Sequence, residues 1–402
     1  MSKNNRRLFL KKMIFGSFSV PFLKTGLLKT SSHRIKKGEM YYRRLGRTGL
    51  EVSEISLGGS PLPDWAILRQ AIDRGVNYID TSHTYMNGNS ERQIGKLFKE
   101  AGRDQVYVGT KFHLRGPWSE KTIVSSVEGS LKRLQTDCID VLLIHGISNP
   151  SNLTDERVLS AFDRMKKEGK FRFNGISCHS NHHQVISKAV ECGAYDMVQL
   201  GYNVFDLDDS EEQIQKYSDY LGASGTSKLI KSAWDQDIGV IAMKTLKVGG
   251  KRQNLDKYHT GSVSLYQAML KWALDNSHIT SVVTEMMNRT QLDEDLSVVN
   301  SPLSEEERRN LFQYAAENSS QYCHMCGTCQ DRCPQGIQTT SILRYLAYFE
   351  GYEKPSRAKL MYSQLAPDQT AKSCVECGTC DRSCPYGLSV SQRIQYADSL
   401  LA

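Results

Sequence analysis

Val106-Tyr107-Val108-Gly109-Thr110-Lys111 is a short apolar run that ends in a base, and further along Ile139-Asp140-Val141-Leu142-Leu143-Ile144-His145 is another that ends in a histidine. An amphipathic, helix-patterned stretch lies between them. Working outward, the same alternation holds across 41–300, with apolar runs at 52–58, 77–81, 106–111, 139–145, 172–178, 196–201, 239–244 and 280–285. Strands that alternate with helical patterns build a parallel sheet from repeated β-α units. Eight such units predict an α/β protein with a (β/α)8 TIM barrel. A doubly wound open sheet is the competing arrangement, but no Gly-x-Gly-x-x-Gly turn follows the first run.

The chain has 402 residues, enough for two or three folded units. Its 39% hydrophobic and 24% charged residues, with no uninterrupted apolar run of about 18 residues, exclude a disordered chain and a transmembrane span. The net charge of +7 belongs to the start of the chain: residues 1–38 hold ten Lys or Arg and no acid, leaving 41 basic and 44 acidic residues beyond them. That remainder has no basic footprint for nucleic acid.

The basic start reads Asn5-Arg6-Arg7-Leu8-Phe9-Leu10-Lys11, followed by an apolar stretch from Met13 to Leu23 that is too short to cross a bilayer. An arginine pair of this kind ahead of an apolar segment resembles a bacterial twin-arginine export signal. Residues 1–38 are therefore read as a leader. The resemblance implies a periplasmic protein, or one attached to the outer side of the membrane; a leader that does not work as a signal leaves the protein in the cytoplasm.

Eight of the eleven cysteines form two runs of identical spacing, Cys323-x-x-Cys326-x-x-Cys329-x-x-x-Cys333-Pro334 and Cys374-x-x-Cys377-x-x-Cys380-x-x-x-Cys384-Pro385. Three thiolates spaced this way wrap one face of an iron–sulfur cube, and the fourth, before the proline, reaches the neighbouring cube. The predicted ligand sets therefore cross: Cys323, Cys326, Cys329 and Cys384 hold one 4Fe-4S cluster, and Cys374, Cys377, Cys380 and Cys333 hold the other. Structural zinc and disulfides are the competing readings. Gly327-Thr328 and Gly378-Thr379 repeat inside the two runs, which points to an internal duplication. The pattern resembles two-cluster bacterial ferredoxins, and Ile342, Leu346 and Phe349 at helical spacing make residues 303–402 a small, mainly α-helical domain of that kind. Of the remaining cysteines, Cys138 and Cys192 are read as small buried hydrophobes.

In a barrel, chemistry sits where strands end. Tyr78-Ile79-Asp80 ends in an acid, the run to Lys111 in a base and the run to His145 in a histidine, with Tyr85 in the loop after Asp80. An adjacent cation favours a phenolate and draws a tyrosine pKa down from about 10, while a carboxylate holds that cation in place. The set fits general acid catalysis at a carbonyl.

Tyr42-Arg43-Arg44-Leu45-Gly46-Arg47-Thr48-Gly49-Leu50-Glu51-Val52-Ser53 resembles the opening of an aldo-keto reductase, and Asp80-Thr81-Ser82-His83-Thr84-Tyr85 with Ser90-Glu91 is similar to that family's tetrad segment. The resemblance covers the barrel, residues 39–302. It implies Tyr85 as proton donor, Asp80 and Lys111 as its tuning pair, and His145 as the group that orients the substrate carbonyl for hydride from NAD(P)H. It also implies cofactor contacts from Ser177, Cys178, Gln199, Met243, Lys244, Thr245 and Arg289. Here the chain departs from the family: Cys178 replaces an asparagine, Met243 an aromatic, and Arg289 is the nearest cation to where the 2′-phosphate is bound.

The expected protein is thus an oxidoreductase acting on a small-molecule carbonyl or alcohol, followed by a two-cluster domain, with Ser304-x-x-Glu307 starting the joining helix as a capping box. The alternative is an electron carrier or docking protein whose barrel has lost turnover. A hydride moves two electrons at once and a cluster moves one, which leaves three readings: a redox partner protein supplies the coupling, the clusters are structural, or the barrel does not use nicotinamide in the usual way. The segments 205–239 and 249–261 are expected to shape the substrate pocket.

Overall fold

The computed structural model describes residues 34–114, 116–206, 225–246, 255–352 and 354–402. The leader motif at 5–23 lies outside these residues, as do parts of both expected pocket segments, 207–224 and 249–254.

Eight parallel strands close into a barrel: β4 (Ile55–Gly58), β5 (Tyr78–Asp80), β6 (Tyr107–Phe112), β7 (Ile139–Ile147), β8 (Phe171–Cys178), β9 (Met197–Gly201), β10 (Gly239–Met243) and β11 (Ser281–Thr284). They pair in chain order, and β11 closes onto β4 through Val282 and Ile55. Every apolar run of the sequence supplies one strand. The first run is split, however. Its start belongs to a separate antiparallel sheet of β1 (Ile35–Lys37), β2 (Met40–Arg44) and β3 (Glu51–Ser53). The break falls at Glu54, which is buried and held by the guanidinium groups of Arg34 (2.6 and 2.7 Å) and Arg43 (2.7 Å).

This small sheet lies against the N-terminal end of the barrel. Leu45 sits so close to Gly239, the first residue of β10, that a Cβ there would come within 2.6 Å of it. Leu45, Leu50 and Val52 pack with Tyr78, Val141, Leu143, Met197 and Ile241, which fill the barrel interior. Their neighbours in sequence, such as Ile79, Leu142, Ile144 and Val198, join the larger core between strands and helices. The two-residue period of a strand thus decides which side chains face inward.

The expected capping box is present. Ser304 Oγ accepts from the Glu307 amide while the Glu307 carboxylate accepts from the Ser304 amide, opening the helix Glu305–Asn318. Lys271 meets Glu307 at 2.6 Å in a buried ion pair, and Leu311, Phe312, Tyr314 and Ala315 join the barrel's core. A second core, built on Ile342, Leu346, Tyr362, Val390 and Ile394, organises the C-terminal region.

That region is two copies of one unit. In each, the residue before the second cysteine takes a left-handed conformation (Met325, φ 62°; Glu376, φ 53°), the following glycine does too, and a one-turn helix starts at Thr328 or Thr379. A longer helix ends each copy, Thr339–Glu350 and Val390–Leu401, and the helix Pro355–Ser363 connects them. Among the described residues no helix is long and apolar enough to cross a membrane.

Candidate functional site

Inward alternation brings the strand-end residues together. Asp80 continues the register of Tyr78, and His145 that of Val141 and Leu143, while β6 sets Lys111 between them; all three are buried where the strands end. Lys111 Nζ donates to Asp80 Oδ1 at 2.5 Å and to the Thr81 carbonyl at 2.9 Å. It lies 5.3 Å from the centroid of the Tyr85 ring. Tyr85 makes an edge contact with the His145 ring at 5.5 Å. The turn that carries it is strained, since Met86 and Asn87 both have positive φ (51° and 54°). Behind the site, Thr81 bonds Ser90 at 2.7 Å, and Glu91 accepts from Thr110 and Arg133, both at 2.6 Å. These bonds brace the strand ends.

Burial governs the electrostatics. It pushes the Asp80 carboxyl up and the Lys111 ammonium down, and their mutual attraction opposes both shifts. The Tyr85 phenol is held well above its ordinary range, by burial first and the Asp80 charge second. This reverses the sequence expectation of a lowered phenol, because Lys111 is engaged by Asp80 and burial dominates. The cation that opposes the rise is Arg357, which comes from the C-terminal region and stands 6.0 Å from the Tyr85 ring. Burial also drives His145 well below the usual histidine value, with His113, Lys111, His179 and His83 adding to the effect. At neutral pH the site therefore holds a protonated phenol beside a neutral imidazole. His145 Nδ1 is 3.1 Å from Ser82 Oγ, and His113 stacks on its ring at 4.2 Å.

A cavity of about 340 Å³ opens over this set. Asp80, Tyr85, His145, Met243, Lys244 and Thr245 line it from the barrel, and Tyr348, Tyr352, Lys354 and Arg357 from the C-terminal region. Ser177 and Gln199 are buried on inward-facing positions of β8 and β9. Among the described residues Ser177 Oγ meets no hydrogen-bond partner, and the Gln199 amide makes no bond of full geometry, although it is near enough to Asp80 to favour its carboxylate. Buried donors and acceptors of this kind suit a carboxamide ligand.

Two of the expected cofactor contacts are corrected. Cys178 faces the opposite way from Ser177, into the layer between strands and helices. Its thiol donates to the Ser180 carbonyl at 3.0 Å, and burial pushes it up to about 12. Arg289 is exposed, pairs with Asp293 at 3.6 Å and does not line the cavity, whose far side carries Glu285, Glu294 and Asp295 instead.

The cysteines line two smaller cavities. Cys323, Cys326, Cys329 and Cys384 border one, and Cys333, Cys374, Cys377 and Cys380 border the other. The first sulfur of each run accepts from a backbone amide, Cys323 from Met325 at 3.3 Å and Cys374 from Glu376 at 3.4 Å. Among the described residues no three His, Cys, Asp or Glu side chains converge on a point that would hold a single metal ion. The Cys323–Cys329 loop abuts the barrel, where the Asn181 amide donates to the Met325 carbonyl at 3.1 Å.

Sequence reading missed His113, His179, Arg344, Tyr348, Lys354 and Arg357. The histidines follow Lys111 and Cys178 closely, a proximity that could have flagged them. The others sit in a different unit, and no spacing links them to the barrel.

Residues 64–313 match the aldo/keto reductase family, and residues 343–389 match a 4Fe-4S dicluster domain. The chain is 27% identical over 305 residues to the uncharacterized oxidoreductase YqkF of Bacillus subtilis, covering 69% of this chain and 98% of that protein. To L-galactose dehydrogenase of Arabidopsis thaliana it is 28% identical over 293 residues, covering 64% and 87%. Among solved structures, an aldo-keto reductase of Klebsiella pneumoniae in complex with NADPH superposes with a TM-score of 0.53 at 21% identity, covering 68% of this chain and 94% of that one. At that identity the likeness speaks for the fold alone.

Proposed function

The chain belongs to the aldo/keto reductase family and is an oxidoreductase of that type with a 4Fe-4S dicluster domain, and from that premise we propose that it reduces a small-molecule carbonyl, or oxidises the corresponding alcohol, with Tyr85 moving the proton. The observation that carries the reading is the buried constellation itself: a phenol kept protonated, a neutral imidazole beside it, and a carboxylate–ammonium pair fixed at 2.5 Å behind it. A general acid must hold its proton until the carbonyl oxygen takes it. Tyr85 meets that condition at neutral pH. His145, uncharged, orients the carbonyl without competing for the proton, and the Lys111–Asp80 pair keeps an ammonium near the oxygen where negative charge develops.

A nicotinamide, when bound, supplies the hydride. The buried Ser177 hydroxyl and Gln199 amide fit its carboxamide, while Met243 and Thr245 line the mouth cavity. The acids on the far side of the cavity, Glu285, Glu294 and Asp295, suit the hydroxyls of NADH better than the 2′-phosphate of NADPH. Each cysteine quartet surrounds a void instead of a point, which favours two 4Fe-4S clusters with crossed ligand sets over zinc. The clusters supply single-electron transfer. A redox partner able to split an electron pair belongs to this reading, as does export through the leader at 1–38.

Tyr85→Phe tests the assignment. Carbonyl reduction by the cluster-loaded protein should fall by about 10²–10⁴-fold, with the iron content and visible spectrum unchanged. Undiminished reduction in that variant overturns Tyr85 as the proton donor.

A further inference from the structure

The C-terminal region sets three cations beside the barrel mouth, Lys354, Arg357 and Arg344, and among the described residues a carboxylate balances only the first. Lys354 is accounted for, since it meets Glu285 at 3.1 and 3.2 Å and the Ser60 carbonyl at 3.0 Å. Arg357, one turn along, is not. Its Nη1 donates to Ser60 Oγ at 2.9 Å, and its guanidinium stands 5.2 Å from the Tyr348 ring and 6.0 Å from the Tyr85 ring. Lys244, in a left-handed conformation (φ 58°) just past β10, lies 5.5 Å from the Tyr348 ring. Arg344 lines the adjoining small cavity with Lys244, His179 and Tyr348, and its Nε is buried with no hydrogen-bond partner among the described residues.

Among the described residues, none of Lys244, Arg344 and Arg357 forms an ion pair with an acid. The acids nearby are otherwise engaged. Asp80 holds Lys111, Glu285 holds Lys354, and Asp206 accepts from Thr226 at 3.1 Å and from the Asn203 amide at 3.1 Å. Among the described residues, the Tyr348 phenol is the acidic group that answers all three cations. Burial pushes it up, yet Lys244, Arg344 and Arg357 outweigh burial and bring it down to about 8. Gathering three partly desolvated cations around one phenol is costly unless an anion offsets them, and two of them are arginines, whose planar forks suit carboxylate and phosphate oxygens.

We propose that Lys244, Arg344 and Arg357 form an anion seat at the junction of barrel and cluster domain, binding a carboxylate or phosphate group of the ligand that occupies the barrel-mouth cavity. The cluster domain thereby completes the barrel's binding site. The proposal rests on reading that cavity as the reductase's ligand site, but it does not require that the ligand be turned over.

Calorimetric titration of the cluster-loaded full chain with four probes, NADH, inorganic pyrophosphate, 4-carboxybenzaldehyde and uncharged benzaldehyde, tests it. Arg344→Gln and Arg357→Gln should bind at least one anionic probe about tenfold or more weakly, as expected for loss of a charge-assisted hydrogen bond. Benzaldehyde binding and the cluster spectrum should stay unchanged, and Arg357→Lys should restore part of the loss. Weakening confined to 4-carboxybenzaldehyde assigns the seat to a substrate carboxylate, and weakening confined to NADH and pyrophosphate assigns it to a cofactor phosphate. Unchanged affinity for all three anions in both variants overturns the proposal, as does an equal loss of benzaldehyde or an unaltered chain that binds no anion. A chain that shows the expected anion losses but reduces no aldehyde upholds the seat and removes the activity proposed above.

Discussion

Replacing Cys384 by serine should destroy the cluster of the other cysteine run. In sequence Cys384 stands four residues from Cys380, yet in space it borders the cavity of Cys323, Cys326 and Cys329, while Cys333 borders that of Cys374, Cys377 and Cys380. The two cubes proposed above amount to about eight irons per chain, so Cys384→Ser should lower iron and sulfide to about half. Stoichiometry alone does not say which cube is lost. The decisive measurement is the electron paramagnetic resonance of the reduced protein, because the two quartets have different surroundings. The first has its loop against Asn181 and a His324–Tyr386 stack at 3.6 Å beside it, whereas Cys377 of the second is exposed. The residual signal of Cys384→Ser should match that of Cys326→Ser, and that of Cys333→Ser should match that of Cys377→Ser. The opposite pairing, with Cys384→Ser resembling Cys377→Ser, would refute the crossed assignment and return each run to a cluster of its own.

Three further outcomes follow from buried charge. Burial raises the Asp295 carboxyl from 3.8 to about 7, so the folded state holds a proton that the unfolded chain releases; that stabilising contribution is complete near pH 4 and lost as pH rises through about 7. Asp295→Asn should therefore equal the parent near pH 4 and exceed it at pH 8 by up to roughly 4 kcal/mol in denaturant unfolding. Burial lowers His179 well below 6.5, which makes the folded state exclude a proton and lose stability as pH falls below that value; His179→Gln should flatten the loss by up to about 1.4 kcal/mol per pH unit between pH 6.5 and the onset of acid unfolding. Lys271→Met leaves the buried Glu307 carboxylate without its 2.6 Å partner and should cost about 3–5 kcal/mol. The double variant with Glu307→Gln should regain most of that in the same unfolding assay.

The barrel was legible because each strand is an apolar run with a helical pattern after it, and a strand's two-residue period is written in the chain. The same period could have corrected Cys178. With Ser177 facing inward, the next residue on β8 must face the helices. Glu54 was hidden inside an apparently continuous run, since nothing local announces that Arg34 and Arg43 will meet a buried carboxylate there. The grouping of the cysteines around two cavities agrees with the crossed spacing because the fourth cysteine of each run lies past its turn and before a proline. The direction of the Tyr85 shift was not, because it depends on how burial weighs against Lys111 and Arg357, and no motif records burial.

The groups at the domain junction were invisible for a different reason, and they bear on how the two halves of the molecule work. Tyr348 and Arg357 belong to helices whose sequence pattern serves the second core through Ile342, Leu346, Ala358 and Tyr362. Their outward neighbours look like ordinary surface until the barrel mouth is set against them. The end of β8 then serves both partners. Ser177 faces the barrel interior, His179 lines the mouth cavity and also the small cavity it shares with His324 and Met325, and Asn181 bonds the loop between Cys323 and Cys326. The second quartet, with exposed Cys377, offers a face to solvent. The end of β8 thus borders both the mouth cavity and the first cysteine run, through His179 and Asn181.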